Sequence, residues 1–303
     1  MKTVSIHRFE TLYSWVVRSH IRYGFAYERS TYEALFGCFP VSIHPYLPKR
    51  IDELSKRTEM LSETLIQEHT LYGLFHFFDE SKGQGPSLMR SMYGNKDEKI
   101  LTFSFIRSAK LSTSISHRFC SLCIEGLRAE QGFGIYDIRY QLPGVFACPT
   151  HGIELDSAFS SAKGPIVKLR QAHPNLLQER AGEVTISFAR FCFDVIEKSM
   201  NLNEGFDRER YLNALDRRGY VTKEGWVRQK ILRRDVVRAV SQIKLEPGAE
   251  HLCSMYYLGS LLSRRKYSMH PIQHLLFGWW LFESDADGFF NDLLPPEQYA
   301  LSW

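Results

Sequence analysis

Four side chains in the middle of the sequence have the types and spacing of a metal site: Cys120-Ser-Leu-Cys123, a gap of twenty-four residues, then Cys148-Pro-Thr-His151. A two-residue spacer lets both donors of a pair converge on one ion at ~2.0–2.3 Å, so a C-x-x-C and a C-x-x-H close a tetrahedron around zinc. Pro149 fixes φ in the second tight turn, and Gly152 relieves crowding just after the last ligand. A redox C-x-x-C is the alternative, but it leaves the matching C-x-x-H as coincidence. The gap is too long for a ββα finger, so a ribbon-like site is expected, its knuckles joined by a hairpin or short helix turned at Gly126, Gly132 and Gly134. Four protein ligands leave no open position for water, which points to one structural zinc and not a catalytic one. Cys38, Cys192 and Cys253 fit no spacing and read as small buried hydrophobes. Reduced thiols together with zinc point to the cytoplasm.

A second chemistry lies in the charge pattern. The net charge is a modest +4, with 38 Lys and Arg against 34 Asp and Glu. Between Gly205 and Leu275, however, fourteen cations face seven acids, and Leu276 to Trp303 holds five acids and no Lys or Arg. Such asymmetry is the one-dimensional form of a nucleic-acid footprint, and solvated helix faces are its alternative. The helix expected after Thr222 supplies Lys223, Arg228, Lys230, Arg233, Arg234 and Arg238, and Arg264, Arg265 and Lys266 follow at the next junction. Arg234 and Arg238, and likewise Lys230 and Arg234, are four apart and neighbours on one face. Trp226, Val227, Val237 and Val240 are left for packing.

The elements that must position these groups read as mainly helical. Hydrophobic content of 44% and charged content of 24% exclude wholesale disorder. The longest apolar run, Leu275 to Phe282, falls far short of the ~20 residues that span a bilayer, and no secretory signal is evident, so a soluble intracellular chain without membrane contact is expected. Apolar spacing predicts a helix over Phe9–Tyr23 stopped by Gly24, and a short one begun by a Ser30–Glu33 capping box and ended at Gly37, together helix-turn-helix-like. Further helices are expected at Arg50–Thr58 and at Glu63–Phe78, the latter capped by Ser62 and carrying His69 and His76 as core or boundary residues. Asp79–Ser87 reads as a loop. Later helices are expected at Asp207–Arg218, after Thr222, at Leu252–Leu262 and at Pro271–Phe282. Leu275, Leu276, Trp279, Trp280 and Phe282 are assigned to the core. The organisation is therefore a helical N-terminal domain over 1–110, a small zinc-binding domain over 111–160 and a helical C-terminal domain over 161–303 with a basic helix-turn-helix-like region.

Arg118-Phe-Cys-Ser-Leu-Cys123, Gln141-Leu-Pro-Gly-Val145, Cys148-Pro-Thr-His-Gly152 and Leu155 resemble the core of the TniQ/TnsD proteins, target selectors of Tn-type transposons. Leu12-Tyr-Ser-Trp15 and Glu68-His-Thr-Leu71 resemble the family's N-terminal helical segments. Tyr211-Leu-Asn-Ala-Leu215 through Arg218-Gly-Tyr220, then Arg264-Arg-Lys266 and His270-Pro-Ile-Gln-His-Leu-Leu276, resemble the later module of the longer TnsD branch. Ser121 and Tyr136-Asp-Ile-Arg-Tyr140 depart from the family pattern without removing a ligand. TnsD-branch proteins commonly continue well beyond the equivalent of Phe282, so either a truncated chain or a short relative is expected.

The resemblance implies a non-enzymatic adaptor in transposition and DNA recombination. It would recognise an attachment site on double-stranded DNA and recruit an AAA+ regulator of the TnsC type. In the TniQ branch the same module docks instead on an RNA-guided CRISPR effector. The segment through Trp15 and Tyr23 is, by resemblance, a surface for the regulator, with a buried Trp15 as the alternative. A zinc hydrolase or nuclease is the reading from another class. Glu125 and Asp137 lie near the zinc ligands in sequence, but no H-E-x-x-H, nucleophile elbow or P-loop accompanies them.

Overall fold

The computed structural model describes residues 4–41, 43–79, 84–94, 108–111, 116–159, 178–200, 202, 205–245, 248–263 and 269–291. It is mainly helical, as the sequence pattern implies. The N-terminal helices are α1 (Leu12–Tyr23), α2 (Glu28–Phe36), α3 (Ile51–Thr58), α4 (Ser62–His69), α5 (Tyr72–Phe77) and α6 (Gln84–Tyr93). The middle segment holds β1 (Ser116–Phe119), α7 (Ser121–Gln131), a 3-10 turn (Ile138–Gln141) and β2 (Asp156–Phe159), with β1 and β2 antiparallel and Arg118 opposite Ser157. Then follow α8 (Glu183–Ser199), α9 (Glu209–Arg217), α10 (Gln229–Val240), a 3-10 turn (Glu250–Ser254), α11 (Leu258–Leu261), α12 (Pro271–Leu281) and α13 (Ala286–Asn291). No described helix is long and apolar enough to cross a membrane.

Local chemistry sets most of these boundaries. Thr11 caps α1 by accepting the Ser14 N–H, and Gly24 ends it at φ +66. His270 and Gln273 form a reciprocal cap around Pro271, satisfying free N–H groups at the start of α12. Elsewhere the expected signals yield to other partners. Helix α2 begins at Glu28, so Ser30 lies inside it, and Arg29 holds Glu33 at 2.8 Å, leaving no capping box there. The single helix expected over Glu63–Phe78 breaks at Thr70, whose hydroxyl turns back to the Ile66 carbonyl, and Ser62 donates to Asp52 instead of capping. Helix α6 starts at Gln84, inside the expected loop, and Gly126 lies within α7. The expected helix over Leu252–Leu262 is a 3-10 turn and the short α11, separated at Met255 in a left-handed conformation.

Buried apolar side chains from Leu12 to Phe289 form one contiguous cluster. Helix α12 lies at its centre, packed against α8, α9 and α10, with Leu275, Leu276 and Phe282 fully buried as expected. Trp279 and Trp280 are half-buried instead, because the first donates to Ser187 Oγ at 3.2 Å and the second lies under the Arg218 guanidinium. His69 is a core residue, 3.0 Å from the Glu10 carbonyl through Nδ1. Trp15 is buried and donates to the Val4 carbonyl at 2.7 Å, so its indole offers no docking surface.

Two arginines tie the middle segment to its neighbours. Buried Glu10 accepts from Arg18 through both oxygens, at 2.8 and 2.9 Å, and the Arg18 guanidinium lies over Phe133. Arg139 bonds Asp137 and Glu197 while its guanidinium sits between Phe9 and Phe193, at 4.2 and 4.6 Å from their centroids. One planar cation thus joins the N-terminal segment, the 3-10 turn and α8. Gly144 makes a comparably close contact: at φ +96, a Cβ there would sit 2.4 Å from Ile272 Cδ1. Gly144→Ala is therefore expected to destabilise the chain by about 1–3 kcal/mol, since strain and overpacking act together. A fall in thermal midpoint with unchanged zinc content checks this.

Candidate metal centre and nucleic-acid interface

The first two donors are placed by α7, whose N-cap is Cys120. Its sulfur accepts the Cys123 N–H at 3.5 Å, so one helical turn brings the two thiols to the same end of the helix. The second pair sits on a short hairpin. Cys148 N donates to the Ile153 carbonyl at 2.8 Å, Gly152 N returns to the Cys148 carbonyl, and Gly152 adopts φ +67. His151 N donates to Cys148 Sγ at 3.4 Å. Gly152 is favoured by its dihedral and not by crowding: a Cβ there would meet only Ile186 Cδ1, at an ordinary 3.5 Å, but a side chain is disfavoured at that φ.

All four donor atoms lie within 4.8 Å of one another. His151 presents Nδ1 at 3.4 Å from Cys120 Sγ, 3.3 Å from Cys123 Sγ and 3.5 Å from Cys148 Sγ, and Cys123 and Cys148 are 3.8 Å apart at sulfur. A tetrahedron with zinc–sulfur bonds of ~2.3 Å and a zinc–nitrogen bond of ~2.0 Å has edges of about 3.5–3.8 Å. The donor set and its spacing fit zinc. Cys120 and Cys148 are buried, Cys123 half-buried and His151 exposed, so the cage is closed from the core and rimmed by solvent. Such a cage could stabilise the segment; with four protein donors it offers no position for a reacting water.

One contributor escapes the sequence pattern. The Tyr140 hydroxyl, buried in the 3-10 turn, lies 3.3 Å from Cys123 Sγ and 3.1 Å from Cys148 Sγ. Burial pushes its phenol well above the ordinary range, so it keeps its proton and has one O–H to offer a thiolate of the cage. Tyr140→Phe should weaken zinc retention about tenfold without unfolding the chain, as loss of an outer-shell partner typically costs 10–100-fold in metal affinity. Competition against a graded series of chelators measures it. Glu125 and Asp137 do not join the cluster; Asp137 accepts from Arg139.

The basic region is built differently from the expected continuous helix. Helix α9 stops at Gly219, φ +73, and a small hairpin follows in which Val221 and Val227 pair. Thr222 closes its turn: its N–H donates to the Trp226 carbonyl, its hydroxyl accepts the Trp226 N–H, and Gly225 takes φ +82. Thr222 therefore turns a hairpin and does not cap a helix. Lys223 lies in that turn and Arg228 immediately precedes α10, so neither shares a helical face with Lys230. Trp226 is 74% exposed, not packed in the core. Trp226→Ala should shift unfolding free energy by no more than about 0.5 kcal/mol, the ordinary range for a surface site. Denaturant titration decides it.

Helix α10 buries Leu232, Val236 and Val240. Lys230, Ile231, Arg234 and Arg238 point the other way and are exposed. Arg233 is turned aside: it donates to the Ser254 carbonyl at 3.3 Å and its guanidinium lies 4.2 Å from the Tyr256 centroid. Arg234 is paired at the surface with Asp235, an exposed contact that water and salt weaken. Arg264, Arg265 and Lys266 lie outside the described residues.

Against known proteins, the family model described as TniQ matches residues 2–155, which include all four metal donors and Tyr140. A second model, described as Tn7-like transposition protein D, matches residues 194–300, which include the hairpin and α10. No curated protein matches the chain.

Proposed function

The chain belongs to the TniQ family, with a following region of the TnsD type, and from that premise we propose that it is a DNA-binding target selector of a Tn7-like transposon. In this reading it recognises an attachment site on double-stranded DNA and recruits an AAA+ regulator of the TnsC type. It acts by binding, not by catalysis, in the cytoplasm. Cys120, Cys123, Cys148 and His151 hold one structural zinc, and Lys230, Arg234 and Arg238 neutralise phosphates, with Lys223, Arg228 and Arg233 flanking them and Arg264, Arg265 and Lys266 following in the chain.

The observation that carries the reading is the exposed face of α10, where three cations stand opposite the buried Leu232, Val236 and Val240 within the TnsD-type region. A helix that packs through one face and offers cations on the other can lie along a duplex while holding its own core. The adaptor to an RNA-guided CRISPR effector remains the second reading, favoured by the TniQ match through the metal centre. A zinc hydrolase gains nothing from a cage whose four positions are met by protein donors.

Pull-down of the regulator on immobilised attachment-site duplex tests recruitment. The reading expects the regulator to be retained when the zinc-loaded chain is present and released when it is omitted. Retention that requires a guide-RNA effector would favour the second reading instead.

A further inference from the structure

Among the exposed residues of α10, Ile231 is the odd one. Helical spacing places it at the edge of the cationic stripe, beside Arg234 and Arg238 and one turn from the Asp235 carboxylate that pairs with Arg234, away from the buried Leu232, Val236 and Val240, and it is 44% exposed. The hairpin before the helix exposes Trp226 to a still greater degree. From Lys223 to Arg238 the chain carries six cations and two carboxylates, so any surface that covers Ile231 must tolerate a dense positive field. A branched apolar side chain gains nothing from water there, and phosphates cannot use it. What suits both the field and the methyl groups is a DNA major groove, whose rim is anionic and whose floor displays the C5-methyl of thymine.

Resting on the target-selector reading above, we propose that Ile231 is a specificity-determining residue that packs against a thymine methyl in the major groove, while Lys230, Arg234 and Arg238 anchor the flanking phosphates. The discrimination arises because uracil presents the same hydrogen-bonding edge as thymine but lacks that methyl. Burial of one such group is worth about fourfold in affinity.

The test uses the full zinc-loaded chain. Duplexes enriched from a randomised pool by the wild-type chain are resynthesised with deoxyuridine in place of thymidine, and affinities for the two forms are compared. The wild type should bind the thymine form about fourfold more tightly. Ile231→Ala should bind both forms alike at the weaker affinity, and Ile231→Val, which keeps the β-branch and loses only the terminal δ-carbon, should retain the preference. Zinc content and the salt slope of Ile231→Ala should match the wild type, because neither the cage nor the cations are touched. Equal affinity of the wild type for both forms, or a preference that survives Ile231→Ala, overturns the assignment and leaves the duplex-binding reading standing. No salt-dependent duplex binding by the wild type removes that reading, and this assignment with it.

Discussion

Cys148→Ser is expected to be recovered without zinc and with residues 116–159 unfolded. Cys148 is fully buried, and its sulfur lies 3.1 Å from the Tyr140 hydroxyl, 3.8 Å from Cys123 Sγ and 3.5 Å from His151 Nδ1. A serine hydroxyl is a poor zinc ligand, and three remaining donors do not close the tetrahedron. Structural zinc contributes an apparent ~10–16 kcal/mol at neutral pH, against a typical whole-domain stability of ~5–15 kcal/mol. The segment has little regular backbone pairing of its own, with two four-residue strands and one eleven-residue helix, and its buried side chains are held in register by the turns that carry the four donors. Loss of this segment would also release Arg139 from Phe9, Phe193 and Glu197, so α8 should lose protection in hydrogen exchange. Chelation of the wild-type chain should reproduce the pattern. A Cys148→Ser chain that stays folded and zinc-loaded would sink the structural role.

The second large effect concerns α10. Replacing Lys230, Arg234 and Arg238 together with glutamine is expected to cut duplex affinity on the order of a hundredfold near ~0.1 M salt. The slope of log affinity against log salt should become shallower by about 2.7, at ~0.9 for each phosphate no longer neutralised. The three side chains are exposed and lie opposite the face that packs, so the fold and zinc content should be unchanged. Arg233→Gln is the informative contrast. Its guanidinium is engaged with the Ser254 carbonyl and the Tyr256 ring, so it should change the slope less than any of the three. An unaltered slope in the triple variant would place the DNA surface elsewhere.

What the sequence could reveal here depended on how local the determining interaction was. The four ligands were legible because two-residue spacers impose convergence whatever the rest of the fold does. Tyr140 was not: it reaches Cys123 from seventeen residues away through a 3-10 turn that no spacing rule announces. The closing of α1 at Gly24 and α2 at Gly37 was legible because the αL dihedral selects glycine locally. Thr222 is ambiguous in sequence for the opposite reason. A threonine hydroxyl accepts a backbone N–H equally well in a turn or at a helix start, and pairing of Val221 with Val227 decided between them. Hydrophobicity alone assigns Trp226 to packing, and the hairpin turns it outward. Charge alone groups Lys223, Arg228 and Arg233 with the others, while tertiary structure sets their directions.

Footprinting of the zinc-loaded chain alone, with the Lys230, Arg234 and Arg238 triple variant beside it, addresses the central claim most directly. The expected result is protection of one discrete duplex site by the wild type, fading as salt rises and lost in the triple variant. Protection of no duplex at any salt concentration unless an RNA-guided effector is added would contradict it.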